Sequence, residues 1–242
     1  FSNNVLPLRV SHDVATIDQA MRVIEILSSR REYTKLNPFI VLLGKGDHPI
    51  TSSWTAPSGF VHQTTLGITC SNITFLGKGK DTTTILGGFH IENFENITFK
   101  NMTMTNTSAL GRGIWMRNAK VELIDVALKG CGGAGLYLKS ASSETTVVAT
   151  RCEFANSMFG AIVQGSLTSA TFKNCVFHEN SNDGIYGYEY NATIHLHGEA
   201  TAIHSNGQHG INVCSAKVLL HLLSNHNTFY NNGGQDRYAR NE

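Results

Sequence analysis

Six glycines are each followed by a short alternating segment, and these segments hold the residues best suited to chemistry: GFHIEN, GIWMRN, GLYLKS, GAIVQG, GIYGYE and GINVCS. Alternate residues of a strand point to opposite faces. The apolar set Phe89 and Ile91, Ile114 and Met116, Leu136 and Leu138, Ala161 and Val163, Ile185 and Gly187, Ile211 and Val213 is expected to point inward. His90, Trp115, Tyr137, Ile162, Tyr186 and Asn212 then line one outward ladder. Glu92, Arg117, Lys139, Gln164, Tyr188 and Cys214 line a second beside it. Flat aromatic faces suit pyranose rings, and Arg, Lys, Gln and Asn offer donors to hydroxyls and carboxylates. His90, Trp115, Tyr137, Gln164 and Asn212 are therefore the candidate glycan-binding residues. The competing reading is that aromatic residues favour strands and pack on cross-strand neighbours.

Two other sets of side chains bear on chemistry. With Ile194 and Leu196 inward, His195 and His197 face outward, and His221 lies beside His197 one repeat later. Three imidazoles can bind zinc or copper. No carboxylate or cysteine completes the set, so no metal is assigned. Asp125, Asp183, Glu122, Glu153 and Glu179 fall at different offsets in different repeats. That scatter argues against an organised carboxylate pair and for solvation.

The elements that must position these residues come from an internal repeat. Cuts before Asn72, Asn96, Lys120, Thr145, Ser169, Ala192 and Lys217 give steps of 23 to 25 residues. Each unit opens on an alternating apolar segment, such as Ile97 and Phe99 or Ile194 and Leu196. A period of about 24 with period-2 alternation inside it means stacked strands, each coil burying the apolar face of the next. Leucine-rich repeats need a different frame, and propeller blades run about 40 residues or more. Three residues after a buried apolar position come Thr107, Cys131, Asn180, Asn206 and Asn232, with Asn156 and Ser157 serving the coil between. Asparagine suits such a stacked turn because it tolerates the left-handed conformation. The fold class is all-β: a solenoid of about 24 residues per coil in one domain over 1–242, with a cap, first strand and loop in 1–67 and regular coils in 68–242.

These repeats resemble the right-handed parallel β-helix of the pectin lyase-like superfamily. The stretch Ala15 to Ala20 resembles the family's ATI-x-x-A entry helix, followed by a buried strand Phe39 to Leu43 and a turn at Gly44 to Gly46. Ser71 to Gly88, SNITFLGKGKDTTTILGG, resembles the second coil of pectin esterase-like members. Its Gly-Lys-Gly lacks the context of a P-loop and reads as a turn between strands. The resemblance implies a carbohydrate-associated binding or structural domain, with a polysaccharide lyase or epimerase as the alternative. Such an enzyme needs a cation beside a uronate carboxylate and a base near its C5 proton. Arg117 and Lys139 are the candidate cations, Tyr186, Tyr188 and Asp183 the candidate proton carriers. Calcium is a cofactor only under the lyase alternative, and otherwise none is expected. The paired aspartates of a polygalacturonase and the Gln-Asp-Thr-Leu motif of a pectin esterase are not in the chain.

Composition narrows the partners. Charged residues are 15% of the chain and the net charge is +1, so no broad basic field attracts nucleic acid. No apolar run reaches the ~20 residues of a membrane span. Thr16 is the expected N-cap of an amphipathic helix to Ser29, whose Ile17, Ala20, Met21, Ile24 and Leu27 would cover the open N-terminal end of the solenoid. Phe1 to Val14 carries no usable pattern, and Ile50 to Gly67, with Trp54, reads as a loop. Cys152 and Cys175 fall at one place in successive coils and read as buried thiols. Sequons at Asn72, Asn96, Asn101, Asn106 and Asn191 lean toward an extracellular or cell-surface location. The chain opens on Phe1, so a longer natural chain is expected. The last coil shows no cap motif, which suggests a further reading as a fibre or assembly subunit docking through that end.

Overall fold

The computed structural model describes residues 7–56, 58–221 and 229–240. The chain winds as a right-handed parallel β-helix. One wall is an eight-stranded sheet running in chain order from Thr65–Gly67 through Gly88–Glu92, Ile114–Arg117, Ala134–Lys139, Phe159–Gln164, Ile185–Tyr188 and Ile211–Cys214 to Arg237–Arg240. The alternation sets its register. Phe89, Ile114, Leu136, Ala161, Ile185 and Ile211 are direct neighbours and all are buried. The opening segments build the second wall, with Ile73, Ile97, Val121, Val147, Ala170, Ile194 and Val218 in register. Between the walls lies one continuous apolar core. Phenylalanines stack along it, Phe75 on Phe99 at 5.0 Å and Phe154 on Phe177 at 4.5 Å.

The repeated glycine has a steric cause. A Cβ on Gly113 would lie 2.7 Å from the Gly135 carbonyl oxygen, and one on Gly135 would lie 2.9 Å from that of Gly160. Backbones of successive coils approach too closely there for any side chain.

The turn ladder is built otherwise than the sequence suggests. Its members are Asn106, Cys131, Ser157, Asn180, Asn206 and Asn232, so Asn106 replaces the expected Thr107. The Gly132 amide donates to the Asn106 carbonyl as the Gly207 amide does to that of Asn180. These residues do not adopt the left-handed conformation; Asn156, Glu179, Ser205 and Asn231, one residue earlier, do. Asparagine is used here for its amide. Asn206 Oδ1 accepts from the Asn180 backbone N–H (3.2 Å) and side-chain Nδ2 (2.9 Å), while its own Nδ2 donates to the Phe177 carbonyl (3.2 Å) and Asn232 Oδ1 (2.9 Å). Buried turn polarity is thereby satisfied coil by coil. Asn106 is 1% exposed, so that sequon is closed to a glycan.

The helix spans Ile17–Ser28 and Thr16 caps it, accepting from the Gln19 amide at 3.1 Å. Ile17, Ala20, Met21 and Ile24 are buried over the N-terminal end of the core, but Leu27 is 37% exposed and leaves the expected face. Leu8–Val10, too short to show a period, adds a strand beside Phe39–Leu43. The stretch Ile50 to Gly67 is more ordered than a loop: Trp54–Thr55 and Val61–His62 form an antiparallel hairpin, and Thr65–Gly67 starts the eight-stranded sheet. Ile73–Leu76 and Thr83–Leu86 flank the Gly-Lys-Gly turn. Cys152 and Cys175 are buried free thiols. At the other end Val218, Leu220 and Phe229 are only partly buried against the core.

Candidate functional site

The outward face of the eight-stranded sheet carries both expected ladders. Trp115 pairs directly with His90 and Tyr137, and Ile162 follows, then Tyr186 and Asn212. Glu92, Arg117, Lys139, Gln164, Tyr188 and Cys214 run beside them in the same pairings. Trp115, Tyr137 and Tyr186 therefore share one side of the coil. The face divides into three zones of different character.

At the N-terminal end, His90 points outward yet is covered. Its ring lies 3.4 Å from that of Trp54 and 4.2 Å from that of Trp115, centroid to centroid, near parallel to both. It is 4% exposed, where the strand alternation suggested an open position. The hairpin that brings Trp54 is tied to the cap helix: Asp18 accepts from the Ser52 amide at 2.9 Å and the Thr51 amide at 3.3 Å. Burial pulls the His90 imidazole down to about 4, against the opposing pull of Glu92 3.2 Å away. Glu92 also pairs with Arg117. Burial raises the Glu92 carboxyl, but hydrogen bonds from Arg117 and His90 outweigh it and hold the group below its usual range. Arg117 thus has its countercharge already in place.

In the middle, Tyr137, Gln164 and Tyr188 form a directed chain. Gln164 Oε1 can only accept, so the Tyr137 hydroxyl donates to it, and the Tyr188 hydroxyl, 3.0 Å from that of Tyr137, donates in turn. Gln164 Nε2 donates to Glu189 Oε1. The Arg112 guanidinium sits 4.8 Å from the Tyr137 ring centre. Burial, and then the hydrogen bond to Tyr137, push the Tyr188 phenol far above its ordinary value. It is a protonated donor at neutral pH. Gln164 is 9% exposed, a bridge inside this network and not an open contact. Lys139 is half-buried beside it and makes no ion pair among the described residues.

Toward the C-terminal end the face opens into a cleft of about 440 Å³, lined by Tyr186, Tyr188, Glu189, Tyr190, Asn212 and Arg240, with Cys214 and Ser215. Tyr186 and Tyr188 stack at 5.1 Å. Arg240 reaches it because Arg237–Arg240 continues the sheet, with Tyr238 opposite Asn212 and Arg240 opposite Cys214. Asp183 stands apart from this chemistry. It is 2% exposed and spends its carboxylate on the turn, accepting from the His209 amide at 2.9 Å and Asn212 Nδ2 at 3.0 Å. It orients Asn212.

Trp54, Arg112, Glu189, Tyr190 and Arg240 join the face without belonging to either ladder of the six glycine segments. Arg240 is legible in the sequence: Asp-Arg-Tyr-Ala-Arg repeats the spacing of the preceding strand, one step past the last glycine segment. Trp54 is not, since nothing in a two-strand excursion reveals where it folds back.

A family profile described as a right handed beta helix region matches residues 87–239. The chain belongs to that family, and its fold is that of the pectin lyase-like superfamily. Among solved structures it is similar to a periplasmic alginate epimerase, AlgG, at 13% identity and a TM-score of 0.57, covering 87% of this chain and 52% of that one. A pectin methylesterase from carrot matches at 9% identity and a TM-score of 0.55, covering 99% and 85%. The Agl-KA catalytic domain matches at 12% identity and a TM-score of 0.52, covering 95% and 47%. The chain thus spans about half the length of two of these structures. No curated protein sequence matches it.

Proposed function

We propose that the chain binds an acidic glycan along the outward face of its eight-stranded sheet, with the main contacts in the tyrosine cleft. The observation that carries this reading is the juxtaposition of Tyr186, Tyr188 and Tyr190 with Asn212 and Arg240 around one open cleft. Tyrosine faces accept the C–H surface of a sugar. Arginine offers a planar fork to a carboxylate. The file of Tyr137 and Trp115 extends the surface toward the hairpin, so a chain of several sugars has room to lie along it. Two structural neighbours are named as an alginate epimerase and a pectin methylesterase, and uronate polymers are the natural first probes.

Catalysis is the second reading, favoured by the Tyr188 to Tyr137 donor chain beside Lys139. A protonated Tyr188 suits proton donation, not abstraction of a C5 proton. Arg117 is occupied by Glu92, and Asp183 by its turn. A calcium-assisted lyase would need convergent carboxylates. Among the described residues no three gather in this face. The two readings separate in one experiment: alginate and pectin oligosaccharides are tested for binding on a glycan array and, with and without calcium, for the ultraviolet absorbance of unsaturated products. New absorbance supports a lyase, deuterium uptake at C5 in heavy water without new absorbance supports an epimerase, and binding with neither supports the binding domain. Docking through the C-terminal coil, where Val218, Leu220 and Phe229 stay partly exposed, is compatible with either and is read by sedimentation at several concentrations.

A further inference from the structure

On the other wall of the solenoid, we infer that His195, His197 and His221 form a binding site for one borderline transition-metal dication of the zinc class. Alternation on Thr193–His197 buries Leu196 and turns His195 and His197 outward, and strand register sets His221 directly opposite His197. One ring nitrogen from each of the three lies within 4.8 Å of the other two. One pair, His195 Nδ1 and His221 Nε2, is 3.2 Å apart. Two nitrogens held about 2.0–2.1 Å from a tetrahedral zinc ion are themselves roughly 3.3 Å apart, so this pair already stands at ligand spacing.

The ring geometry extends the argument to the third member. His197 and His221 stack at 4.2 Å and 6°, so their in-plane lone pairs run parallel and the His197 ring has to turn to aim a nitrogen at the ion. The His197 ring has no hydrogen-bond partner among the described residues, so nothing fixed has to break when it turns to an ion. Metal ligation needs neutral imidazoles. Lys173 pairs with His197 from the preceding strand, and Lys217 lies on the same face of the following one. These two cations oppose a dication, and both are long enough to swing clear.

No carboxylate or cysteine in the same ladder completes the set. Three nitrogens and a water are a complete set for an open zinc site, so the missing fourth protein ligand is no obstacle. The alternative use of the 3.2 Å contact is an N–H···N hydrogen bond between neutral rings, which would leave His197 without a role.

An untagged, chelator-stripped full chain is titrated with zinc by calorimetry and with cobalt by visible absorbance. One equivalent should bind, cobalt should show the intense bands of a tetrahedral site, and zinc should raise the melting temperature. His195→Ala and His221→Ala should each weaken binding at least tenfold. Both side chains are solvent-facing, and circular dichroism checks that the variants remain folded. His204→Ala, whose ring stacks on Tyr230, should bind like the parent. Absence of saturable binding in the parent overturns the proposal, as does equal affinity in the triple alanine variant. Glycan binding on the opposite sheet is untouched by either outcome.

Discussion

The ring of Trp54 lies against that of His90 at 3.4 Å and 17°, and Trp115 closes the other contact at 4.2 Å and 11°. A hairpin tied to the cap helix thus seals the first aromatic position of the ladder. Since the chain has two tryptophans and both are in this cluster, its tryptophan fluorescence reports on the seal.

Protonating His90 should loosen that seal. The folded-state value, about 4, lies below the usual 6.5, so the unfolded chain binds the proton first. Stability from this group is full above about pH 6.5 and is lost as pH falls toward 4, by about 2–3 kcal/mol. Tryptophan fluorescence should titrate with a midpoint near 4, and His90→Phe should remove the transition. A midpoint near 6.5 in the parent would contradict the burial argument.

Asp18 should hold the hairpin from a distance. Asp18→Ala removes the acceptor for the Thr51 and Ser52 amides. Amide exchange at those two positions should quicken and Trp54 emission should shift to the red, with the helix retained by circular dichroism. Unchanged exchange would mean that Trp54 is held by its ring contacts alone.

Gly135→Ala tests the close approach of successive coils. The new methyl would meet the Gly160 carbonyl at 2.9 Å and the Leu128 side chain at 3.2 Å. A loss of about 1–3 kcal/mol in urea unfolding is expected from overpacking against backbone. A neutral result would show that the coils can separate locally.

Asn206→Leu tests the turn ladder. It removes four hydrogen bonds at a position 1% exposed and leaves the Asn180 amide and the Phe177 carbonyl unpaired. The expected cost is about 2–4 kcal/mol, read as a fall in the unfolding midpoint at constant slope.

Much of this architecture could be read from spacing. Ile97 and Phe99 recur in Ile194 and Leu196, and strand alternation then decides which neighbours face solvent. The register from Phe89 to Ile211 follows from those two facts. What escaped was set by contacts between distant segments. Outward direction does not mean exposure: His90 and Gln164 point away from the core and are covered by Trp54 and by the Tyr137 network. The one-residue slip from Thr107 to Asn106 has a similar origin, because hydrogen bonding to the next coil, not residue preference, chooses the ladder position. The open cleft arises where the ladder meets Tyr190, just after the fifth glycine segment, and Arg240, beyond the last one.

Binding of a defined oligouronate to the parent chain, Tyr186→Ala and Arg240→Gln, measured by calorimetry, bears most directly on the glycan reading. Saturable binding should fall about tenfold or more in each variant, equivalent to roughly 1.4 kcal/mol per lost contact, while exposed Leu167→Ala binds like the parent. Undiminished affinity in both cleft variants, or no binding by the parent to any acidic glycan, would contradict it.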